Sequence, residues 1–253
     1  MPLMIPHILT YHVIAPEPSR YVYSASCQQF EEHLEIILAL SSTCAGITPR
    51  VTFDDGKLSD FEFALPLLEK HRVRAIFFVT VALIGREQNF MKWDQVREIE
   101  SLGHSVQSHG WSHVLLTQAN KSDLINELEQ SKKTLEDRLG RLVDSISLPG
   151  GRCNRNVLDA CSRAGYRYVY HSNPWKAVQN LAGLTFAGRL MVRNSMSSRH
   201  LRDILDGNPR TSLFYRTEYF LKEAGKRLIG DKIYHRLWRS LARIAIQRDS
   251  QVG

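Results

Sequence analysis

The sequence predicts an α/β protein built on a mainly parallel sheet or barrel. Strand-like segments alternate with segments of helical periodicity for at least five units, and such alternation is typical of βα repeats. Polar residues follow the predicted strands at their C-terminal ends, where α/β barrels carry their sites. The length of 253 residues suits one unit of this kind with a small appendage.

The predicted elements have recognisable boundaries. Residues 75–80 give the clearest strand signal, because they are apolar, aromatic and β-branched. Further strands are predicted at residues 8–12, 49–53, 105–108, 145–148 and 166–170. Helices are predicted near residues 26–40, 60–70, 93–102, 120–139 and 156–164. After about Ser195 the pattern changes, and we divide the chain into a barrel at residues 1–205 and a basic helical extension at residues 206–253.

The composition excludes several classes of protein. With 43% hydrophobic and 23% charged residues, the chain is not predicted to be disordered, collagenous or a coiled coil. It has no run of 18 apolar residues, so no transmembrane helix is expected. The N-terminus lacks the basic and apolar regions of a signal peptide, and the four cysteines form no CxxC pair. A cytoplasmic location, with peripheral contact at the inner membrane face, is the simplest expectation.

Much of the net charge of +7 lies in the extension. Between Arg210 and Gly253 there are ten Lys or Arg and four Asp or Glu. Such a segment favours an anionic partner, for example a membrane surface, although a solvated helix face fits the same pattern. Nucleic acid is not predicted as a partner, because the chain has no nucleic-acid-binding motif. The oligomeric state is left open.

Chemically active residues are predicted at two of the strand ends. Asp54 and Asp55 are adjacent carboxylates, which repel each other unless a metal or a proton relieves them; a turn with an aspartate cap before Gly56 is the alternative. His109 and His113 are four residues apart, and on one helical turn this spacing would place both imidazoles on one face. Two histidines and one carboxylate form a plausible three-ligand metal site with an open position.

Four short motifs resemble those of the polysaccharide deacetylases, the NodB homology domain of carbohydrate esterase family 4. The first motif is TFDDG at residues 52–56, and the second is SHGWSH at residues 108–113. LPGG at residues 148–151 is similar to the third motif, and NPW at residues 173–175 to the fourth. The resemblance covers roughly residues 8–195.

The resemblance implies a distorted (β/α)7-type barrel that removes an N-acetyl group from an amino sugar. By position, Asp55, His109 and His113 would hold one divalent ion. Zn²⁺ is the family's usual choice, and Co²⁺, Ni²⁺ and Mn²⁺ are the other choices. Asp54 would be the base that takes a proton from metal-bound water.

The third and fourth motifs would supply the substrate contacts. The resemblance implies that the Gly150 N–H, next to Pro149, stabilises the oxyanion. Asn173 would contribute to substrate binding. Trp111 and Trp175 would form apolar walls against the sugar or the acetyl methyl group, unless they are ordinary core residues.

Two departures from the family pattern concern the base and the acid. Leu148 stands where the family often has an arginine that orients the base, and Arg152 is predicted to lie on the surface. The late histidine that supplies the acid is absent from residues 189–194, and His200 is expected to be exposed. The poly-β-1,6-N-acetylglucosamine deacetylases have a permuted order, with the acid histidine on the first strand. Residues 9–12 resemble that element, so His12 is predicted to protonate the leaving amine; a buried structural histidine is the alternative.

The leading hypothesis is a metal-dependent carbohydrate N-deacetylase acting on a polysaccharide or a lipid-linked glycan precursor. This places the chain in exopolysaccharide or cell-surface glycan biosynthesis. A second hypothesis keeps the site and changes the amide, giving a deformylase or another amidohydrolase on a lipid-linked aminosugar. A third is a catalytically inactive glycan-binding protein on the same fold.

Overall fold

A nine-stranded sheet forms the centre of the protein in a computed structural model that describes residues 5–41 and 48–229. The strands of the protein are β1 (Ile8–Tyr11), β2 (Val13–Ala15), β3 (Ser24–Ser26), β4 (Arg50–Phe53), β5 (Ala75–Val79), β6 (Ser105–Ser108), β7 (Ser145–Ser147), β8 (Tyr168–His171), β9 (Gln179–Leu181), β10 (Leu184–Gly188) and β11 (Leu190–Met191). β2 and β3 form a separate two-stranded sheet, and the other nine strands form the central sheet. The order is β11-β1-β4-β5-β6-β7-β8-β10-β9, and every neighbouring pair is parallel except β10 with β9. The predicted α/β class is confirmed.

The two ends of this sheet meet at one residue. β10 pairs with β8 near one end of the order, whereas β11 pairs with β1 at the other end. Arg189 alone separates β10 from β11, so the two strands lie within about 7 Å of each other along the chain. The sheet is therefore curved into an open barrel of seven strand positions. It is not closed, because its ends are joined by the chain and not by a continuous hydrogen-bonded ladder.

Helices connect successive parallel strands, as a right-handed βα repeat requires. Their bounds are α1 (Cys27–Ser41), α2 (Leu65–His71), α3 (Trp93–Ser101), α4 (Lys121–Leu139), α5 (Arg155–Arg163), α6 (Ser198–Leu205) and α7 (Pro209–Ile229). The first five agree with the predicted helices to within a few residues, although the helix predicted from residue 60 opens with a π-helical turn at Asp60–Ala64. Asn120 caps α4, since its side chain accepts a hydrogen bond from the Asp123 N–H.

The strands bury different residues on their two faces. Outward-facing residues such as Phe53 and Phe77, whose rings stack with centroids 4.8 Å apart, form the large core under the helices. The inward-facing residues form a much smaller apolar cluster that includes Ile8, Phe78 and Tyr170. This division follows from the alternation of side chains along a strand. The inside of the barrel therefore has little apolar filling, and polar groups occupy the rest.

The last three strands were missed by the sequence analysis. β9, β10 and β11 lie between residues 179 and 191, in a segment for which no strand was predicted. An arginine inside the apolar run of residues 184–192 obscured the strand pattern. The extension at residues 206–253 was predicted to be helical. Helix α7 covers residues 209–229, and residues 230–253 lie outside the described part. The domain boundary at residue 205 stays a prediction.

No helix within residues 5–41 and 48–229 combines the length and the hydropathy of a membrane-spanning segment.

The junction between β10 and β11, where the two ends of the sheet meet, leaves no room for a side chain at Gly188. A Cβ atom there would lie 1.8 Å from the Asn173 carbonyl oxygen. We expect Gly188→Ala to destabilise the protein by about 1–3 kcal/mol, because the backbone at this junction has to move. Gly225→Ala in α7 is the matched control, since nothing lies within 4 Å of its added Cβ and alanine favours a helix. Thermal unfolding measures both, and equal melting temperatures would contradict this packing.

Candidate functional site

A cavity of about 970 Å³ opens at the C-terminal ends of the parallel strands. The end of a parallel sheet collects the residues that follow each strand, so distant parts of the sequence meet there. The predicted site residues on its wall are His12, Asp54, Asp55, His109, His113, Gly150 and Trp175. Seven of the ten predicted site residues thus share one cavity.

Three of these residues form the one possible metal site found among the described residues. The ligand atoms of Asp55, His109 and His113 all lie within 4.8 Å of one another. Asp55 Oδ1 lies 3.4 Å from His109 Nε2 and 3.2 Å from His113 Nε2. Two imidazole nitrogens and one carboxylate oxygen converging on one point are a donor set that suits Zn²⁺ and other first-row divalent ions.

The two histidines meet through a loop, not through a helix. Residues 109–115 have no helical structure. The prediction that His109 and His113 meet because they lie on one helical turn is therefore wrong. Gly110 and His113 both have positive φ, 79° and 64°, and these two residues fold the loop back on itself. Asp55 also has a positive φ of 77°. Two of the three candidate ligands therefore hold a backbone conformation that costs energy outside glycine, as is common at functional sites.

Hydrogen bonds fix the orientation of the loop and of its first histidine. His109 Nδ1 lies 2.8 Å from the Ser147 carbonyl oxygen, so Nδ1 carries the proton and donates it, and the lone pair of Nε2 faces Asp55. The buried Glu127 carboxylate of α4 accepts hydrogen bonds from the N–H groups of Trp111 and Ser112, at 3.0 and 2.9 Å. It also accepts one from the Ser112 hydroxyl.

Asp54 points away from its neighbour into a buried ion pair. Arg189 donates from Nη1 to Asp54 Oδ1 and from Nη2 to Asp54 Oδ2, both at 2.7 Å. Ser147 Oγ also donates to Asp54 Oδ2, at 3.0 Å. The side chains of Asp54 and Arg189 are 3% and 1% exposed, so the pair is removed from water. The adjacent carboxylates avoid mutual repulsion because each has its own cationic or proton-donating partners.

The ion pair sets the protonation state of Asp54. Burial by itself would raise the pKa of Asp54, but the charge of Arg189 and its hydrogen bonds outweigh burial and hold the pKa at about 2. The pKa of Asp55 is also well below its ordinary value, because the neighbouring imidazoles of His109 and His113 outweigh the effect of burial. Both carboxylates are therefore ionised at neutral pH.

Arg189 is the residue that the sequence analysis missed. The one signal in the sequence was its place within an apolar, strand-like run, which favours burial, and a buried guanidinium is costly without a partner. Arg152 was expected on the surface. It is instead 18% exposed and paired with Glu223 of α7 at 2.6 Å, which corrects that expectation. His200 is exposed, as predicted.

His12 lies at the cavity wall directly after β1. Its ring stacks on Tyr23, with centroids 5.3 Å apart, and its Nδ1 is buried without a hydrogen-bond partner. Burial lowers the pKa of His12, while the carboxylates of Asp55 and Asp54 act in the opposite direction. The imidazole is thus close enough to the two carboxylates to respond to their charge, and it is neutral at rest.

The predicted substrate residues are divided between the cavity and the packing around it. Gly150 and Trp175 line the cavity. Trp111 packs against the core, Pro149 is buried, and Asn173 accepts a hydrogen bond from the Trp175 N–H through its side-chain oxygen. These last three are not among the residues that line the cavity. Their roles toward a substrate stay predictions.

Further aromatic residues of the wall were not predicted as site residues. Tyr21 and Tyr23 line the cavity on the side of His12, and Tyr215 and Tyr219 of α7 line it from another direction. The Arg193 guanidinium binds the Glu218 carboxylate of α7 with two hydrogen bonds, at 2.5 and 2.7 Å. The helix predicted as an extension is therefore part of the cavity wall.

The fold and the site together define a class: α/β proteins of barrel type whose candidate metal ligands lie at the C-terminal ends of parallel strands. Residues 48–169 match the polysaccharide deacetylase family. This part of the chain is therefore a polysaccharide deacetylase domain of the NodB type, which confirms the resemblance seen in the motifs.

Relatives and solved structures agree with this assignment. A peptidoglycan-N-acetylglucosamine deacetylase of Bacillus cereus is 29% identical over 169 residues, covering 62% of this chain and 58% of the relative. A poly-β-1,6-N-acetyl-D-glucosamine N-deacetylase of Staphylococcus aureus is 26% identical over 171 residues, with the same coverage. The deacetylase PplD of Streptococcus pyogenes, solved in complex with acetate, has a TM-score of 0.69 at 24% identity, covering 81% of this chain and 99% of that one. The chain spans between 26% and 58% of the length of the curated relatives it matches.

The Asp54–Arg189 pair predicts a specific pattern of stability. Arg189→Met should lower the free energy of unfolding by about 3–5 kcal/mol, because it leaves a buried carboxylate without its partner. The double variant Asp54→Asn/Arg189→Met should be more stable than Arg189→Met alone, since it no longer contains a buried carboxylate without a partner. Denaturant unfolding of both single variants and the double variant closes the cycle. Additive losses would show that the two side chains do not interact.

Proposed function

We propose that this protein is a metal-dependent carbohydrate N-deacetylase, which removes the acetyl group from an N-acetylated amino sugar of a polysaccharide or lipid-linked glycan. The observation that carries the proposal is the arrangement of Asp54, Asp55, His109 and His113 on one cavity wall. Family membership supports it, and so do the names of relatives that act on N-acetylglucosamine. The cellular location stays the prediction of the sequence analysis.

The residues present fit a divalent cation. Asp55, His109 and His113 supply three donor atoms from one side, and the open cavity leaves the other side for water and substrate. We propose Zn²⁺, because two imidazoles and a carboxylate are ligands of catalytic zinc. The chemistry that such an ion supplies is polarisation of the amide carbonyl and a lowered pKa of the attacking water.

Asp54 is the proposed proton acceptor. Each of its oxygens accepts a bond from Arg189, and Oδ2 accepts a second one from Ser147. These bonds hold the carboxylate in one orientation and leave one lone pair of Oδ1 free. With a pKa of about 2, the carboxylate is available as an acceptor at every pH near neutrality. Arg189 is a positioning residue, which acts on the reaction through Asp54.

His12 is the proposed donor to the leaving amine. It lines the same cavity as Asp54, and burial lowers its pKa, so the resting imidazole is neutral and can accept a proton. Asp54 takes one proton from the attacking water, and the leaving nitrogen needs one proton. The cycle balances when this proton passes from Asp54 to the neutral His12 and from the imidazolium to the leaving amine. Stacking on Tyr23 fixes the plane of the imidazole.

The walls of the cavity suit a carbohydrate. Trp175 lines it together with Tyr21, Tyr23 and Tyr219, and aromatic faces with a few polar groups are typical of small-molecule sites. Gly150 lies on the wall, where its N–H is the proposed donor to the oxyanion.

Release of acetate tests the proposed reaction. The zinc-loaded enzyme is expected to release acetate, and not formate, from N-acetylglucosamine oligomers. Asp54→Asn should lower kcat by about 10²–10⁴-fold, because it removes the proton acceptor and spares the three candidate ligands. Metal content and thermal unfolding are measured on the same samples as controls. Formate released from N-formyl sugars alone would point to a deformylase, and no product from either amide would point to a glycan-binding protein.

The role of His12 is tested by comparing two histidines. His12→Ala is expected to reduce kcat by about 10²–10⁴-fold with little change in KM, since the donor acts in the transition state. His200→Ala, at an exposed position, is the matched control and should keep the wild-type rate. A wild-type rate for His12→Ala, or a loss confined to His200→Ala, would place the acid elsewhere.

A further inference from the structure

Helix α7 carries an exposed apolar stripe. The stripe consists of Leu213, Phe214, Phe220 and Leu221, which are 59%, 63%, 50% and 73% exposed. Spacings of one, seven and eight residues place all four on one side of the helix. Four large apolar side chains exposed within nine residues are unusual on a protein surface, where such side chains are normally scattered singly.

The opposite side of α7 is held against the body of the protein. Tyr215 is buried, and Glu218 and Glu223 form ion pairs with Arg193 and Arg152. Tyr219 lines the cavity from this side. These contacts fix the rotation of the helix about its axis, so the stripe points away from the barrel.

The charges beside the stripe are of one sign. The charged residues nearest the stripe are the exposed Arg210 and Arg216. The two glutamates of α7 are turned toward the body in ion pairs, and Lys222 lies on the cavity side, where it pairs with Glu218. The Arg216 guanidinium lies over the Phe220 ring, 5.8 Å from its centre. In the sequence that follows, residues 226–253 contain seven Lys or Arg and two Asp or Glu. An apolar stripe bordered by cations complements an anionic lipid surface.

We propose that the apolar stripe of α7 docks the protein on an anionic phospholipid bilayer. Phe214 and Leu221, the most exposed members, would enter the boundary between headgroups and acyl chains, and Arg210 and Arg216 would contact lipid phosphates. The stripe is too small for a stable dimer. It runs about 12 Å along a helix about 10 Å wide, an area on the order of 100 Å², whereas a stable dimer buries about 800 Å² per partner.

Docking through this stripe sets the distance between the cavity and the bilayer. The same helix contacts the cavity on one side and lipid on the other, so the cavity would lie about 10 Å, one helix diameter, above the membrane surface. A glycan attached to a lipid would present its first sugars at that height. This inference rests on the proposed function, and it favours lipid-linked glycans over free polysaccharides as the substrate class.

Vesicle co-sedimentation of the full chain tests the docking without any assay of activity. The wild-type protein is expected to sediment with phosphatidylcholine vesicles that contain phosphatidylglycerol, and much less with phosphatidylcholine alone. Phe214→Ser/Leu221→Ser should weaken the partition by at least about tenfold, because two apolar side chains no longer enter the bilayer. Leu142→Ser, at a position that is 78% exposed outside the stripe, is the matched control and should bind like the wild type.

The outcomes separate this inference from the proposed function. Thermal unfolding checks that each variant is folded, so loss of binding is not mistaken for loss of structure. No sedimentation of the wild type, or equal sedimentation of the stripe variant, overturns the docking even if acetate release is normal. A wild-type dimer in gel filtration that the stripe variant dissociates would instead identify an interface between two chains. Normal vesicle binding without acetate release leaves the docking standing and overturns the proposed function.

Discussion

The buried ion pair between Asp54 and Arg189 is the interaction on which the rest of the site depends. Each oxygen of the carboxylate accepts a bond of 2.7 Å from the guanidinium. Both charges are removed from water, which costs several kcal/mol per ion unless the geometry and the additional hydrogen bonds compensate. The guanidinium also donates to the Ser147 and Thr52 hydroxyls and lies over the Phe78 and Tyr170 rings. The barrel interior is polar at this end because this pair occupies it.

The same arginine links the architecture to the chemistry. Arg189 is the residue between β10 and β11, so its backbone joins the two ends of the curved sheet. Its N–H donates to the His171 carbonyl at the end of β8, and its side chain reaches β4 and β7. One residue therefore both links the two ends of the sheet and orients Asp54. Asp55 remains free to face His109 and His113 because its neighbour is already paired.

Much of this arrangement could be predicted from the sequence. Local sequence patterns predict the five βα units. Because the strands are parallel, the same patterns also predict that the residues after each strand converge and that Asp55, His109 and His113 lie together. The ion pair could not be found that way, because Asp54 and Arg189 are 135 residues apart and only the curvature of the sheet brings them together. The loop at residues 109–115 escaped for a related reason: its shape depends on the buried Glu127 of α4, which a motif does not contain.

Helix α7, which was predicted to be an extension outside the barrel, forms part of the cavity wall. The sequence predicted a basic helix after residue 205, and α7 is such a helix through residue 229. Its contacts with the body, through Arg152 and Arg193, depend on partners that lie on separate loops. Helical periodicity identifies two faces, but it does not state which one meets the protein.

The central claim is that Asp55, His109 and His113 form a metal site, and metal content tests it most directly. Elemental mass spectrometry of protein purified without chelators is compared with His113→Ala and with His200→Ala as a matched substitution. We expect about one divalent ion per chain in the wild type and in His200→Ala, and loss of the ion in His113→Ala. A wild-type protein that binds no ion after zinc is added, or a His113→Ala variant that keeps it, would contradict the account.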